Sequence, residues 1–120
     1  MSQVLLVEDS ITEAEKLKRY LENRGFSVFG VRSGEEAQLR LKQRKPDLIL
    51  LDVILPGQSG FELCRKLKND PATKAIPVVI CSTKNKDVDK TWANMSGADA
   101  YLTKPVDEAT LFQTINKFLS

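Results

Sequence analysis

The sequence contains no histidine, only two cysteines and no long hydrophobic run. The lack of histidine excludes catalytic triads that use an imidazole base, and it removes the commonest ligand of transition metals. The cysteines, Cys64 and Cys81, are too few for a disulfide framework and match no metal-ligand spacing, so we predict that both pack in the core. No apolar stretch approaches the roughly 20 residues needed to cross a bilayer.

The charge balance and the N-terminus exclude further classes of protein. The chain has 18 Lys and Arg against 16 Asp and Glu, a net charge of +2. Because the basic residues are scattered along predicted helices, they indicate a solvated surface and no nucleic-acid partner. The first residues lead directly into an apolar segment, without the charged start and long apolar stretch of a signal peptide. We therefore predict a cytoplasmic protein without a membrane partner, folded as one domain over residues 1–120.

Short apolar runs alternate with amphipathic helical segments along the whole chain. Strands are predicted over residues 4–7, 26–31, 48–51, 76–81 and 100–103. Ser10, Ser33 and Ser59 are each followed three residues later by Glu, the spacing of a capping box that begins a helix. A weaker fourth helix carries Trp92, and Asp107 caps the fifth. Five strands alternating with helices predict right-handed crossovers and a doubly wound α/β fold, with a parallel sheet covered on both faces.

The third strand is followed by an acid and a turn. Four aliphatic residues run into Asp52, and the turn-forming residues Pro56, Gly57 and Gly60 follow. Such a continuous apolar run is typical of a strand buried on both faces. Taken alone, Asp52 would be interpreted as a residue that caps the following loop.

The ends of the other strands favour a binding site instead. The polar residues that follow the predicted strands are Glu8, Asp9, Asp52, Ser82, Thr83 and Lys104. In a parallel sheet these positions share one edge, where open α/β folds bind their ligands. Clustered carboxylates without His or Cys suit Mg²⁺, while a lysine and a hydroxyl can hold the oxygens of a phosphoryl group. Because an Asp carboxylate can attack phosphorus, the sequence predicts a site that accepts a phosphoryl group.

These features resemble the CheY-like receiver domain of two-component response regulators over essentially the whole chain. The matching motifs are Glu8-Asp9, Asp52 with Leu55-Pro56-Gly57, Ser82, and Lys104-Pro105. The resemblance implies a flavodoxin-like sheet in the order 2-1-3-4-5 with five helices. It also implies a phosphorelay function, in which a histidine kinase (CheA-like) or a phosphotransfer domain donates the phosphoryl group. Apart from self-phosphorylation and slow autodephosphorylation, no enzymatic activity is implied.

The resemblance assigns a role to each site residue. Asp52 would be the phosphoacceptor, assisted by Ser82 and Lys104. Mg²⁺ would be held by Glu8, Asp9, Asp52 and the backbone carbonyl of Ile54. Ser82 and Tyr101 would form the switch, and Lys104-Pro105 would be a cis peptide. The output would be a changed affinity for a downstream protein target at the face formed by helix four, strand five and helix five, and Trp92 lies either on that face or in the core.

Two departures from the family pattern are visible, along with one narrower resemblance. Glu8 stands where the family often has Asp, and Ser59 stands where an Asp is frequent, which we interpret as a helix cap. The stretches around Asp70-Pro71, Ile76-Pro77 and residues 101–108 are similar to small regulators of chemotaxis-like systems that control type IV pili and twitching motility. This similarity predicts a role in motility.

Three other functions remain open. A phosphate sink or relay intermediate would use the same site without a productive output surface. A phosphorylation-independent interaction module would not need the complete site. A hydrolase with an Asp nucleophile would need a second acid two residues after Asp52, where Ile54 stands.

Overall fold

The computed structural model describes residues 2–84 and 86–119. The strands are β1 (Gln3–Val7), β2 (Ser27–Val31), β3 (Leu48–Leu51), β4 (Val78–Ser82) and β5 (Ala100–Thr103). The helices are α1 (Ile11–Asn23), α2 (Gly34–Gln43), α3 (Gly60–Asn69), α4 (Asp87–Met95) and α5 (Glu108–Leu119). All strand pairs are parallel, in the order β2-β1-β3-β4-β5, which confirms the predicted fold. Within the described ranges, no helix is long and apolar enough to cross a membrane.

Alternating side chains of the strands form a core on each face of the sheet. Leu5 and Val7 of β1 pack in the core that receives α2, α3 and α4. Val4 and Leu6 point the other way, into the core that receives α1 and α5. Because successive strand residues face opposite sides, a parallel strand covered on both faces must be apolar throughout. Cys64 and Cys81 are buried free thiols in these cores, as predicted.

The predicted helix caps are present. The hydroxyls of Ser10, Ser33 and Ser59 accept hydrogen bonds from the backbone N–H groups three residues later, at 3.3, 3.1 and 3.2 Å. These bonds satisfy donors that the first turn of a helix leaves without a partner. At the end of α1, Gly25 adopts a φ of +89°, a conformation that glycine adopts without steric cost.

Ser59→Ala is expected to lower the free energy of unfolding by about 1 kcal/mol, because α3 would lose its side-chain cap. Urea unfolding followed by circular dichroism measures the change. Ser59→Thr keeps an oxygen in the same place and should recover most of the loss. Equal stability of Ser59→Ala and the wild type would show that the cap contributes nothing here.

The fourth strand is shifted relative to the prediction. It begins at Val78 rather than at residue 76 and ends at Ser82 rather than at residue 81. Pro77 has no N–H to donate to a neighbouring strand, and the Ile76 N–H is used in a turn, bonded to Thr73 O at 3.0 Å. At the other end, Ser82 is the last residue of the strand and is paired in register with Thr103.

Helix α4 buries Asp89 and Ala93 and exposes its large apolar side chains. Ala93 is buried in the core, whereas Val88, Trp92 and Met95 are 56%, 52% and 69% exposed. Trp92 is therefore not a core residue, and it lines a groove between α3 and α4 together with Phe61. The sequence pattern could not distinguish this side from a buried one because both have the same helical period.

Candidate functional site

Asp52 directly follows β3 at the carboxyl edge of the sheet. Its backbone N–H donates to Val7 O at 3.0 Å, which continues the pairing of β3 with β1 by one residue. The side chain is nearly buried, and its Oδ1 accepts a hydrogen bond from the Val53 N–H at 2.7 Å. This bond fixes the orientation of the carboxylate and leaves Oδ2 facing the centre of the site.

Gly60 holds the loop after Asp52 in place. The sequence predicted only that Gly60 is a turn-forming residue. The Gly60 N–H donates to Val53 O at 2.8 Å, which joins the start of α3 to this loop. A Cβ at Gly60 would lie 2.0 Å from Asp52 O and 2.8 Å from Val53 Cα. Only glycine permits this approach of two backbone segments.

Glu8 follows β1 and is the second buried carboxylate of the site. Its side chain is 3% exposed, and its Oε2 accepts from the Ser10 N–H at 3.1 Å. Its Oε1 accepts a hydrogen bond from Lys104 Nζ. Burial raises the pKa of Glu8; the bonds from Lys104 and Ser10 oppose this rise, and the charge of Asp52 adds to it.

Lys104 follows β5 and brings a cation between the two acids. Its side chain is 7% exposed, and Nζ lies 3.5 Å from Asp52 Oδ2 in addition to its bond with Glu8. Its backbone N–H donates to Ser82 O at 2.8 Å, and the predicted cis peptide with Pro105 is present. Burial lowers the pKa of Lys104, but the bond with Glu8 and the charge of Asp52 outweigh this effect, so the pKa lies above its usual value.

Asp9 and Ile54 stand apart from this buried cluster. The Asp9 side chain is 52% exposed, its Oδ1 is 3.9 Å from the Arg32 guanidinium, and its backbone oxygen accepts from Arg32 at 3.4 Å. Ile54 lies in the loop after Asp52 with an exposed side chain. Over residues 2–84 and 86–119, no three His, Cys, Asp or Glu side chains are arranged around one metal position. The predicted metal ligands share an edge of the sheet without forming a closed cage.

Ser82 and Tyr101 both contact the backbone of Lys84. The buried Ser82 hydroxyl accepts from the Lys84 N–H at 3.4 Å, and the Tyr101 hydroxyl donates to the Lys84 carbonyl. Burial raises the pKa of Tyr101, and the Asp89 and Asp52 charges raise it further. No hydrogen bond joins Ser82 to Asp52 among the residues that the structure describes. The two predicted switch residues are therefore connected through the loop that leads into α4.

The structure thus brings together three of the predicted residues in one buried cluster, namely Asp52, Glu8 and Lys104. Arg32 and Lys84 are neighbours of the site that the sequence reasoning did not include. Arg32 follows β2 at the same edge of the sheet. Its position directly after a predicted strand could therefore have identified it from the sequence. The contacts of Lys84 use its backbone, so its residue type carried no such signal.

Comparison with known proteins matches residues 4–116 to the response regulator receiver domain family. Protein PilH from Pseudomonas aeruginosa is 45% identical over 120 residues, a match that covers 100% of this chain and 99% of PilH. The chain spans about half the length of several other curated relatives it matches. A signal receiver domain of a signal transduction histidine kinase from Syntrophus aciditrophicus is 38% identical with a TM-score of 0.93, covering 99% of this chain and 90% of that one. The chemotaxis protein CheY4 from Vibrio cholerae is 28% identical with a TM-score of 0.91, covering 98% of each chain.

Proposed function

Because the chain belongs to the response regulator receiver domain family, we propose that Asp52 accepts a phosphoryl group from a phosphohistidine of a partner kinase. The observation that supports this assignment is the meeting of Asp52, Glu8 and Lys104 at the carboxyl edge of the sheet. Receiver domains are not classical enzymes. We accordingly propose that catalysis by this chain is limited to self-phosphorylation from a donor and slow autodephosphorylation.

Receiver domains bind Mg²⁺ in the active site, and the donors present here fit this ion. Glu8 and Asp52 direct carboxylate oxygens at one shared cation, the Lys104 ammonium, so both are already arranged around a positive charge. Hard oxygen donors without His or Cys are the set that Mg²⁺ prefers. Glu8, Asp9, Asp52 and the Ile54 carbonyl would hold the ion. When bound, Mg²⁺ would neutralise charge on the acidic cluster and on the phosphoryl oxygens.

The protein's own residues position the transfer. The Val53 N–H fixes the Asp52 carboxylate, one oxygen of which bonds to phosphorus as the phosphorus–nitrogen bond of the donor breaks and its imidazole leaves. Lys104 turns from the carboxylates to the transferred oxygens, which carry more negative charge. The Ser82 hydroxyl donates to another of these oxygens. No general base is required, because Asp52 reacts in its ionised form.

The bonds made by the Lys84 backbone support a route for the switch. When Ser82 moves toward the phosphoryl group, it gives up the Lys84 N–H, and this frees the backbone whose carbonyl holds the Tyr101 hydroxyl. Tyr101 then changes rotamer, and the start of α4 moves with the loop. We propose that the surface formed by α4, β5 and α5 changes its affinity for a downstream protein target.

We also propose a biological setting from the resemblance to the regulators of type IV pili and twitching motility. The donor would be a CheA-like histidine kinase or a phosphotransfer domain, and the protein would act in the cytoplasm. The full-length match to PilH supports this setting.

The test is incubation of the protein with acetyl phosphate, with and without Mg²⁺, followed by mass spectrometry of the intact chain and of its peptides. We expect the mass to increase by one phosphoryl group on the peptide that contains Asp52, and we expect no increase when a chelator removes the metal. An adduct on another residue, or one that forms equally without metal, would contradict the assignment.

A further inference from the structure

A basic surface lies at the edge of the sheet opposite to Asp52. Helices α2 and α3 pack on the same face of the sheet and both end at the edge where the strands begin. The last turn of α2 carries Arg40 and Lys42, and the last turn of α3 carries Lys66 and Lys68. Two parallel helices thus bring their basic ends together, although the basic residues are scattered along the sequence.

A pocket of about 130 Å³ opens between these helix ends, and we call it the α2–α3 pocket. Its floor includes Leu41 and Leu67, each 4% exposed. Among the described residues, Lys42, Lys45 and Lys66 line it together with one acid, Asp70. The pocket therefore combines two nearly buried leucines at its floor with three lysines at its border, so it offers both an apolar contact and positive charge.

The charges of this pocket remain largely uncompensated. The Asp70 carboxylate accepts a hydrogen bond from the Ala72 N–H at 2.9 Å, and among the residues that the structure describes it forms no ion pair with a lysine. In the part of the chain that is described, neither Lys42 nor Lys66 takes part in an ion pair. Lys68 differs, since its Nζ is bound to Asp99 and to Ile76 O, each at 2.8 Å. Lys42 and Lys66 are therefore available to a ligand.

Helix dipoles give a local reason for basic residues at both helix ends, since cations are favourable near a helix C-terminus. Lys45 interacts with the C-terminal end of α2 in this way, because its Nζ donates to Leu41 O at 3.3 Å. The dipole does not explain why the space between the two ends stays open over buried leucines. The open pocket and its excess of positive charge together favour an occupant that is both acidic and apolar.

We propose that the α2–α3 pocket docks an acidic peptide segment of a partner protein, with an apolar side chain on Leu41 and Leu67 and carboxylates beside Lys42 and Lys66. A concave, apolar-floored pocket fits a side chain better than it fits the flat surface of a membrane or a nucleic-acid backbone. This site lies at the edge opposite to the phosphoacceptor. It would hold a partner by a contact separate from the face formed by α4, β5 and α5.

The test measures fluorescence anisotropy of a labelled glutamate-rich peptide that contains one phenylalanine and one leucine. Lys42→Glu combined with Lys66→Glu should weaken binding about tenfold or more, because two attractions become repulsions at short range. The matched control, Lys18→Glu with Arg19→Glu on the exposed side of α1, changes the net charge equally and should change affinity less than about twofold. Lys42→Gln with Lys66→Gln, which adds no repulsion at the helix ends, should give an intermediate loss.

A second peptide, with glycine in place of both apolar residues, tests the floor of the pocket and should bind about tenfold more weakly. Equal losses in the pocket variant and the α1 control would overturn the proposal in favour of non-specific charge attraction. Equal binding of the two peptides would overturn it as well. If the protein bound phosphatidylglycerol vesicles through Lys42 and Lys66 but did not bind the peptide, the proposal would be overturned, and the ligand would be a lipid surface.

Discussion

Gly60→Ala is expected to lower the free energy of unfolding by about 3 kcal/mol or more and to impair phosphoryl transfer at Asp52. The new Cβ would lie 2.0 Å from Asp52 O and 2.8 Å from both Asp52 C and Val53 Cα. All three are backbone atoms, so no flexible side chain can move aside. The start of α3 must separate from the loop, and the bond from Gly60 N–H to Val53 O is lost. Urea unfolding and the rate of adduct formation with acetyl phosphate measure the two effects.

Gly30→Ala is the matched control for this substitution. Gly30 lies in the edge strand β2, and a Cβ there would meet no atom of the described residues within 4 Å. The change should alter stability by less than about 0.5 kcal/mol, because the chain gains a methyl group without a clash. If Gly60→Ala were as stable as Gly30→Ala, the close approach of α3 to the Asp52 loop would not constrain the site.

The fold could be predicted because several independent signals agreed. The caps at Ser10, Ser33 and Ser59 set the helix starts, and the continuous apolar strands required a sheet covered on both faces. The edge of the sheet that would hold the site followed from parallel pairing alone. The prediction placed the start of β4 too early. Ile76, the residue before Pro77, is as hydrophobic as a strand residue, but its N–H is bonded within the preceding turn and cannot pair with a neighbouring strand.

The residue types of the site could be predicted from the sequence, but the contacts between these residues could not. Strand ends placed Glu8, Asp52 and Lys104 near one another, yet only the fold shows that the lysine is bound to Glu8 and lies farther from Asp52. The backbone contacts of Lys84 and the close approach at Gly60 were not predictable, because they depend on the relative position of segments distant in sequence. Asp9 was grouped with the acids from its place after β1, whereas its exposed side chain faces Arg32.

Lys104→Met should lower the free energy of unfolding by about 3–5 kcal/mol near neutral pH in the presence of a chelator. The substitution removes the cation that Glu8 and Asp52 share and leaves Glu8 buried without a charged partner. Urea unfolding between about pH 4 and pH 8 measures the loss. Lys90→Met is the control, because Lys90 is exposed on α4 and forms no ion pair within the described residues, so the change should cost less than about 0.5 kcal/mol.

The loss should depend on pH with a defined sign. Burial raises the pKa of Glu8 above 4.5, and removing Lys104 raises it further, because a bond that lowers it is lost. The folded state then binds more protons than the unfolded state, so stability falls as pH rises from about 4.5 through the folded pKa. The difference between wild type and Lys104→Met should therefore be smallest below pH 4.5 and largest near neutrality. A constant difference across this range would show that Lys104 stabilises the fold by packing rather than by its charge.

Magnesium should reverse part of this loss and so connect stability to function. In the wild type, the Lys104 ammonium already supplies positive charge to the two carboxylates, and a bound ion must share them with it. In Lys104→Met the carboxylates lack this charge, so Mg²⁺ should bind more tightly and raise the stability of the variant more than that of the wild type. Glu8→Gln combined with Lys104→Met, which removes both partners, should recover much of the stability without metal. Equal stabilisation of wild type and Lys104→Met by Mg²⁺ would mean that the lysine and the metal do not compete for the same carboxylates.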